Sequence, residues 1–352
     1  MIYLFTGTPG AGKTLNAIKE TCEDNVFSNR PIYYNNVRCL ALDIDFLNSF
    51  EGFFYTQYLR TCSKEDREFL KDTMALAHKE KRLVSMQEVP FLGREYNEYD
   101  WIENFEYWIN RLYPKKRIKS CLAFIELCRK KNHKIRVKQL RRFNLDWRKL
   151  EDPCEWYKLP YGSVIFIDEV QDFFGKRSAS AKAPIYVSEF NTHRHKGFDL
   201  RLITQDSSLL DYQLKACINQ HIHYKNLHGG SKVSRIEKGG HFNTNSVSEK
   251  KSADRRKVIQ RDKKFYGSYF SAEIHTNKYR IPTQYIYAAV LIPALILIAA
   301  FGAYKFSQLD FISKSNNSKI IKEINIDDNN NEYKKVDSKK CVNLSSGKQY
   351  CI

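Results

Sequence analysis

The first two dozen residues constrain this chain most. A short apolar strand, Ile2-Tyr-Leu-Phe5, runs directly into Gly7-Thr-Pro-Gly-Ala-Gly12-Lys13-Thr14, and a helical pattern follows. Strand, glycine-rich loop and helix in that order make a phosphate-binding loop in its proper context. Glycines at 7, 10 and 12 permit backbone conformations closed to residues with a Cβ, so successive N–H groups can point at a phosphate over the helix N-terminus. The cradle comprises Gly7, Thr8, Pro9, Gly10, Ala11, Gly12, Lys13 and Thr14. Lys13 reaches the β- and γ-oxygens of ATP, and the Thr14 hydroxyl is a ligand for Mg²⁺.

A second landmark lies far downstream. Ser163-Val-Ile-Phe-Ile167 reads as a strand buried on both faces, and it ends in Asp168-Glu169. Uninterrupted apolar strands belong to parallel sheets, and ligands in open α/β sheets sit at the carboxyl ends of the strands. Asp168 is therefore expected beside the phosphate loop as a Mg²⁺ ligand, with Glu169 polarising the attacking water. The expected fold class is α/β, a P-loop NTPase with a mostly parallel sheet.

Three further stretches fill in this frame. Pro31–Asn35 predicts a second strand, Ile185–His195 a helix, and Leu200–Gln205 a strand whose polar end, Thr204-Gln205, points at the nucleotide. Gln205 is the expected γ-phosphate sensor. Arg194 and Arg201 bracket that strand, and in ring-forming ATPases either could be supplied to a neighbour's γ-phosphate. Residues 61–155 are helical and basic in texture and read as an insertion. Within it, Trp101, Phe105, Trp108, Ile109 and Leu112 recur at helical spacing, which favours core packing over base stacking. The basic run 129–142 reads as a solvated face or as a nucleic-acid or partner contact.

From Tyr285 to Tyr304 the chain carries no charge over 20 residues, the length that spans a hydrocarbon core, with tyrosines at both ends. A transmembrane helix over 284–305 follows. Lys278, Arg280 and the earlier cluster Arg255, Arg256, Lys257, Arg261, Lys263 and Lys264 precede it, against Lys305 alone just after it. Positive residues stay in the cytoplasm, so 1–283 is expected to face the cytoplasm and 306–352 the periplasm. The net charge is +18, and the tail holds eight lysines against six acids, so most of the excess lies before the span. Such an excess suits anionic lipid or nucleic acid. Seven cysteines before residue 283 form no CxxC pair, which favours buried thiols. His193-x-His195 and His221-x-His223 lack a third ligand at a recognisable spacing.

The loop Gly7–Thr14 at the very N-terminus, the segment Gly162–Asp172, the block Phe190–Gln205 and one late span together resemble the Zot family. These are the zonular occludens toxin-like, filamentous-phage assembly ATPases. The resemblance implies an inner-membrane ATPase, assembled as a homo-oligomeric ring, that drives phage single-stranded DNA through the envelope. It also implies contact with phage coat proteins and, through the periplasmic tail, with an outer-membrane secretin-type channel. Carried onto this chain, Lys13 and Thr14 are the phosphate and Mg²⁺ contacts, Asp168 and Glu169 the acidic pair, and Gln205 the sensor. The likeness is weakest across 61–150. A membrane-anchored motor of bacterial secretion or conjugation would share this chemistry, and a toxin-like protein with an active C-terminal tail is a third class. The tail is Asn-, Ser- and Lys-rich and reads as a flexible arm. Its Cys341 and Cys351 are expected to close a small disulfide loop in an oxidising periplasm.

Overall fold

The computed structural model describes residues 1–178, 180–227, 230–270, 283–324, 341–343 and 349–351. The chain separates into two units, Met1–Arg280 and Ile281–Ile352.

The first unit is built on one eight-stranded sheet: β1 (Ile2–Gly7), β2 (Ile32–Asn35), β3 (Trp147–Lys149), β4 (Val164–Ile167), β5 (Asp199–Ile203), β6 (Gln220–Asn226), β7 (Lys232–Gly239) and β8 (Arg255–Gln260). Their spatial order is β3-β2-β4-β5-β1-β6-β7-β8. The run from β3 to β6 is parallel; β7 and β8 continue it antiparallel. Parallel strands covered on both faces are apolar throughout, and β4 and β5 are buried at every position. β1 is the central strand, so its carboxyl end, where the glycine-rich loop begins, opens between β5 and β6.

Alternate side chains feed two cores, as the period of two requires. On one face Phe5, Ile32, Phe166, Ile203 and Ile222 meet helix α1 (Lys13–Glu23) through Leu15, Ile18 and Cys22. Helices α2 (Trp101–Leu112) and α3 (Lys115–Lys130) belong to the same core. On the other face Leu4, Ile165, Leu200 and Leu202 meet Trp156, Phe174 and Phe190. A satellite cluster of Phe50, Phe53, Phe54, Leu70 and Leu92 lies within the stretch 50–92.

The aromatic stripe 101–112 is core, as its spacing predicts. Asp100 caps α2 through the Ile102 amide at 2.8 Å, and Phe105, Trp108, Ile109 and Leu112 are buried. Each such side chain contributes about 1.5–3 kcal/mol by leaving water. Two expectations change. The stretch 61–155 is not helical throughout, because Trp147–Lys149 form the edge strand β3, and α2 and α3 belong to the main core. The Trp147 indole is fully buried and donates to the Tyr113 hydroxyl at 2.9 Å, which in turn donates to the Leu145 carbonyl at 3.0 Å. That buried chain needs an extended backbone at 147, a requirement that the flanking basic residues conceal. The helix expected over 185–195 is broken into Ile185–Ser188, Glu189–Asn191 and His193–Lys196 and closed by Gly197 at φ 68°. Asn191 and Thr192 favour turns over helix interior.

In the second unit, helix α4 (Thr283–Ile324) contains one stretch, Tyr287–Gln308, of mean hydropathy 2.1, long and apolar enough to cross a membrane. Strands β9 (Cys341–Asn343) and β10 (Gln349–Cys351) pair antiparallel with Cys341 opposite Cys351. Most of the arm expected to be flexible, and the flank Lys278 and Arg280, lie outside the described residues.

Candidate nucleotide site

Gly7 ends β1 with φ 147°, and a Cβ there would stand 2.2 Å from the Tyr224 carbonyl oxygen on β6. Only glycine lets the two strands close at this point. Gly10 and Gly12 are left-handed, at φ 70° and 78°, and turn the chain into α1. Among the described residues no side chain caps the N-terminus of α1, and its first turn holds no acid. The free N–H groups and the positive end of the helix dipole therefore face the loop, an arrangement that suits an anion. Lys13 is buried here. Burial lowers its pKa, and the charges of Glu169 and Asp168 oppose that shift.

The acidic pair arrives from β4. The Thr14 hydroxyl donates to Asp168 Oδ2 at 2.7 Å, and the Glu169 amide donates to Oδ1 at 2.9 Å. Glu169 itself is left-handed, at φ 45°. A non-glycine residue in that region is uncommon and points to a functional turn. Its carboxylate accepts from Gln171 Nε2 at 2.8 Å and from Gln205 Nε2 at 3.4 Å. The Gln171 carbonyl in turn accepts from the Thr204 hydroxyl at 2.6 Å. Gln205 also ties the strands together, its carbonyl accepting from the Gly7 amide at 3.4 Å. Lys13, Thr14, Asp168, Glu169 and Gln205 thus converge.

Two oxygen donors, Thr14 and Asp168, fit a hard divalent cation such as Mg²⁺. Burial pushes the Asp168 carboxyl up to about 6, against the hydrogen bond from Thr14. Tyr269 stands beside both, and burial, then the Asp168 charge, raises its phenol. A carboxyl raised above its unfolded value costs stability where the unfolded chain ionises and the folded one resists. For Asp168 that penalty grows from about pH 4 and is complete above about pH 6. Asp168→Asn should therefore stabilise the nucleotide-free protein at pH 8 by on the order of 1–2 kcal/mol, and the gain should vanish near pH 4. Denaturant titrations of both proteins across that range check this. In the wild type, apparent Mg²⁺ affinity should fall as pH drops through 6.

Several residues were not apparent from the sequence. Gln171 and Thr204 orient Glu169, and only their nearness to Asp168-Glu169 and Gln205 hinted at it. Thr6 joins two histidines: the Phe242 amide donates to His221 Nδ1 at 3.3 Å, so His221 Nε2 donates to the Thr6 hydroxyl at 2.7 Å. That hydroxyl in turn donates to His223 Nδ1 at 3.0 Å. These imidazoles thus brace β1 against β6, and burial holds His223 down to about 4. The described residues contain no cluster of three metal-ligating side chains. Cys22, Cys39, Cys121 and Cys128 are buried free thiols; Cys62, Cys154 and Cys217 are half-buried.

The two bracketing arginines have different surroundings. Arg201 is 2% exposed, pairs with Glu20 at 3.3 Å and lies over the rings of Tyr3, Phe5 and Phe27, so it is a core residue and not a mobile finger. Arg194 is exposed, in the turn that leads into the amino end of β5. The loop follows the carboxyl end of the parallel strand β1, so Arg194 lies across the sheet from the phosphate loop of its own chain. In the basic run, Arg129 pairs with Glu106, and Arg141 with Asp45 and Asp146, while Lys131, Lys134, Arg136, Lys138 and Arg142 are exposed.

Residues 1–85 and 115–273 match the family model of zonular occludens toxin (Zot). The chain belongs to the Zot family. The unmatched segment of this Zot-family chain, 86–114, is narrower than the stretch where its likeness was weakest by eye, and it contains α2. A putative assembly protein, ORF301, of Pseudomonas phage Pf3 is 27% identical over 162 residues, covering 45% of this chain and 53% of the relative. The match thus spans about half of that relative's length. Among solved structures, the N-terminal domain of zonular occludens toxin from Neisseria meningitidis is 21% identical with a TM-score of 0.42, covering 76% of this chain and 98% of that one. The genome packaging NTPase B204 from Sulfolobus turreted icosahedral virus 2, in complex with ATP-gammaS, is 12% identical with a TM-score of 0.27 over 74% of this chain and 96% of that one.

Proposed function

We propose that this Zot-family protein is a membrane-anchored ATPase that couples ATP hydrolysis to filamentous-phage assembly and to export of phage single-stranded DNA across the bacterial envelope. The observation that carries the reading is the 2.7 Å contact between Thr14 of the phosphate loop and Asp168 at the end of β4. It brings the two oxygen donors together beside a buried lysine and a carboxylate held by two amides. The assembly role is supported by the family and by the printed name of the Pf3 relative.

In this reading the uncapped amides of the loop and Lys13 bind the phosphate chain and draw off its negative charge. Thr14 and Asp168 hold Mg²⁺, which when bound neutralises charge developing on the phosphate oxygens. Glu169 takes the proton of the attacking water, and Gln171 and Gln205 keep its carboxylate from rotating away. Gln205, bonded both to the Gly7 backbone and to Glu169, is suited to sense the γ-phosphate.

The remaining proposals concern topology and partners. α4 anchors the protein in the inner membrane, with 1–283 in the cytoplasm and 306–352 in the periplasm, where the tail meets a secretin-type channel. Subunits form a ring around DNA or coat protein, and Arg194 of one subunit serves its neighbour. The opposed register of Cys341 and Cys351 supports a disulfide. Protease added to spheroplasts should clip the tail and spare the ATPase domain, and a thiol probe should label Cys341 and Cys351 only after reduction. Protection of the tail, or labelling without reductant, would overturn this orientation or the disulfide.

A further inference from the structure

Past β8 the chain turns back over the phosphate loop. Arg261, the first residue beyond the strand, donates from Nη2 to the Gly10 carbonyl, and its Nε lies 3.2 Å from where a Cβ on Gly12 would stand. That Nε is buried and, among the described residues, has no hydrogen-bond partner. A buried guanidinium N–H without an acceptor is costly unless something else meets it. The backbone that carries it is held on several sides. The Arg261 amide donates to the Ser231 carbonyl at 3.0 Å, Asp262 pairs with Lys19 of α1 at 3.1 Å, and Arg111 of α2 donates to the Lys264 carbonyl at 2.6 Å. The guanidinium is therefore aimed at the Gly10–Gly12 turn by rigid neighbours.

We propose that Arg261 is a phosphate-contacting residue of the nucleotide site, supplied in cis by the end of β8. This rests on the ATPase reading above. The planar guanidinium suits a phosphate oxygen pair, and its unpaired Nε supplies a donor that the loop itself does not use. It also places a second cation, besides Lys13, against the loop within one chain, a role that neither Arg194 nor Arg201 fills there.

The test uses the full-length protein in detergent, with a fluorescent ATP analogue, the corresponding ADP and AMP analogues, and melting temperature with and without MgATP. Arg261→Ala should weaken ATP binding about 10- to 100-fold, leave AMP binding and the nucleotide-free melting temperature near wild type, and shrink the MgATP-induced rise. Arg261→Lys, which keeps the charge without the fork, should fall between the two. Wild-type ATP affinity in Arg261→Ala would overturn the proposal. So would equal losses for ATP and AMP with a lower nucleotide-free melting temperature, since Arg261 would then only prop the loop. If Arg261→Ala does not fold, Arg261→Gln and Arg261→Lys carry the same comparison. Failure of the wild type itself to bind ATP would remove the ATPase reading and this proposal with it, whereas ATP binding lost in Lys13→Ala but kept in Arg261→Ala would remove only this one.

Discussion

Glu169→Gln binds ATP about as tightly as the wild type and turns it over about 10²- to 10⁴-fold more slowly. Nothing that holds the phosphates is touched by this change: the loop, Lys13 and the Thr14–Asp168 pair stay in place. The new amide is close in shape to the carboxylate and can still bond one of Gln171 and Gln205 as acceptor, while the other must turn its own oxygen inward. What disappears is the only function a carboxylate has there that an amide lacks, taking a proton from water. Single-turnover hydrolysis of labelled ATP, with binding measured separately, gives both numbers. Rapid turnover would move the base to another residue.

Lys13→Ala acts at the other end of the reaction and removes binding. Its ammonium is buried, with a pKa already lowered by burial and opposed by Glu169 and Asp168, so it is poised to exchange those carboxylates for phosphate oxygens. Without it, ATP affinity should fall by at least about 10²-fold, and turnover with it. The same charge lowers the Asp168 carboxyl. The alanine variant should therefore shift the pH at which Asp168 ionises upward, which a repeat of the Asp168 stability titration would detect. Membrane insertion, which depends on α4, should be unchanged.

How much of this was readable in advance follows from the range of the interactions. β1, the loop and α1 form one contiguous stretch in which an apolar strand, three glycines and a helical pattern each carry their own local signal, and they fold as read. β4 announces itself by an unbroken apolar run, and the acids at its end land beside Thr14, 154 residues away in sequence, because parallel sheets collect strand ends on one edge. The aromatic spacing of α2 likewise predicted core. What local patterns do not carry is pairing between distant segments. Trp147 sits among charged residues that read as helix and is a strand because Tyr113 holds its indole. Arg201 looked like a mobile cation, and its burial on Glu20 and three aromatic rings depends on contacts more than 170 residues apart. Arg261 reaches Gly10 from 251 residues downstream, and no motif marks it.

The central claim, that ATP turnover at the Gly7–Thr14 loop drives phage assembly, is tested most directly in cells that carry the phage genome with the Lys13→Ala allele. Extracellular single-stranded phage DNA is counted beside the amount of variant protein in the inner membrane. The account predicts wild-type levels of membrane-bound protein and no extruded DNA, with coat protein accumulating in the membrane. Extrusion at the wild-type rate by a variant whose purified form has lost ATP binding would contradict it.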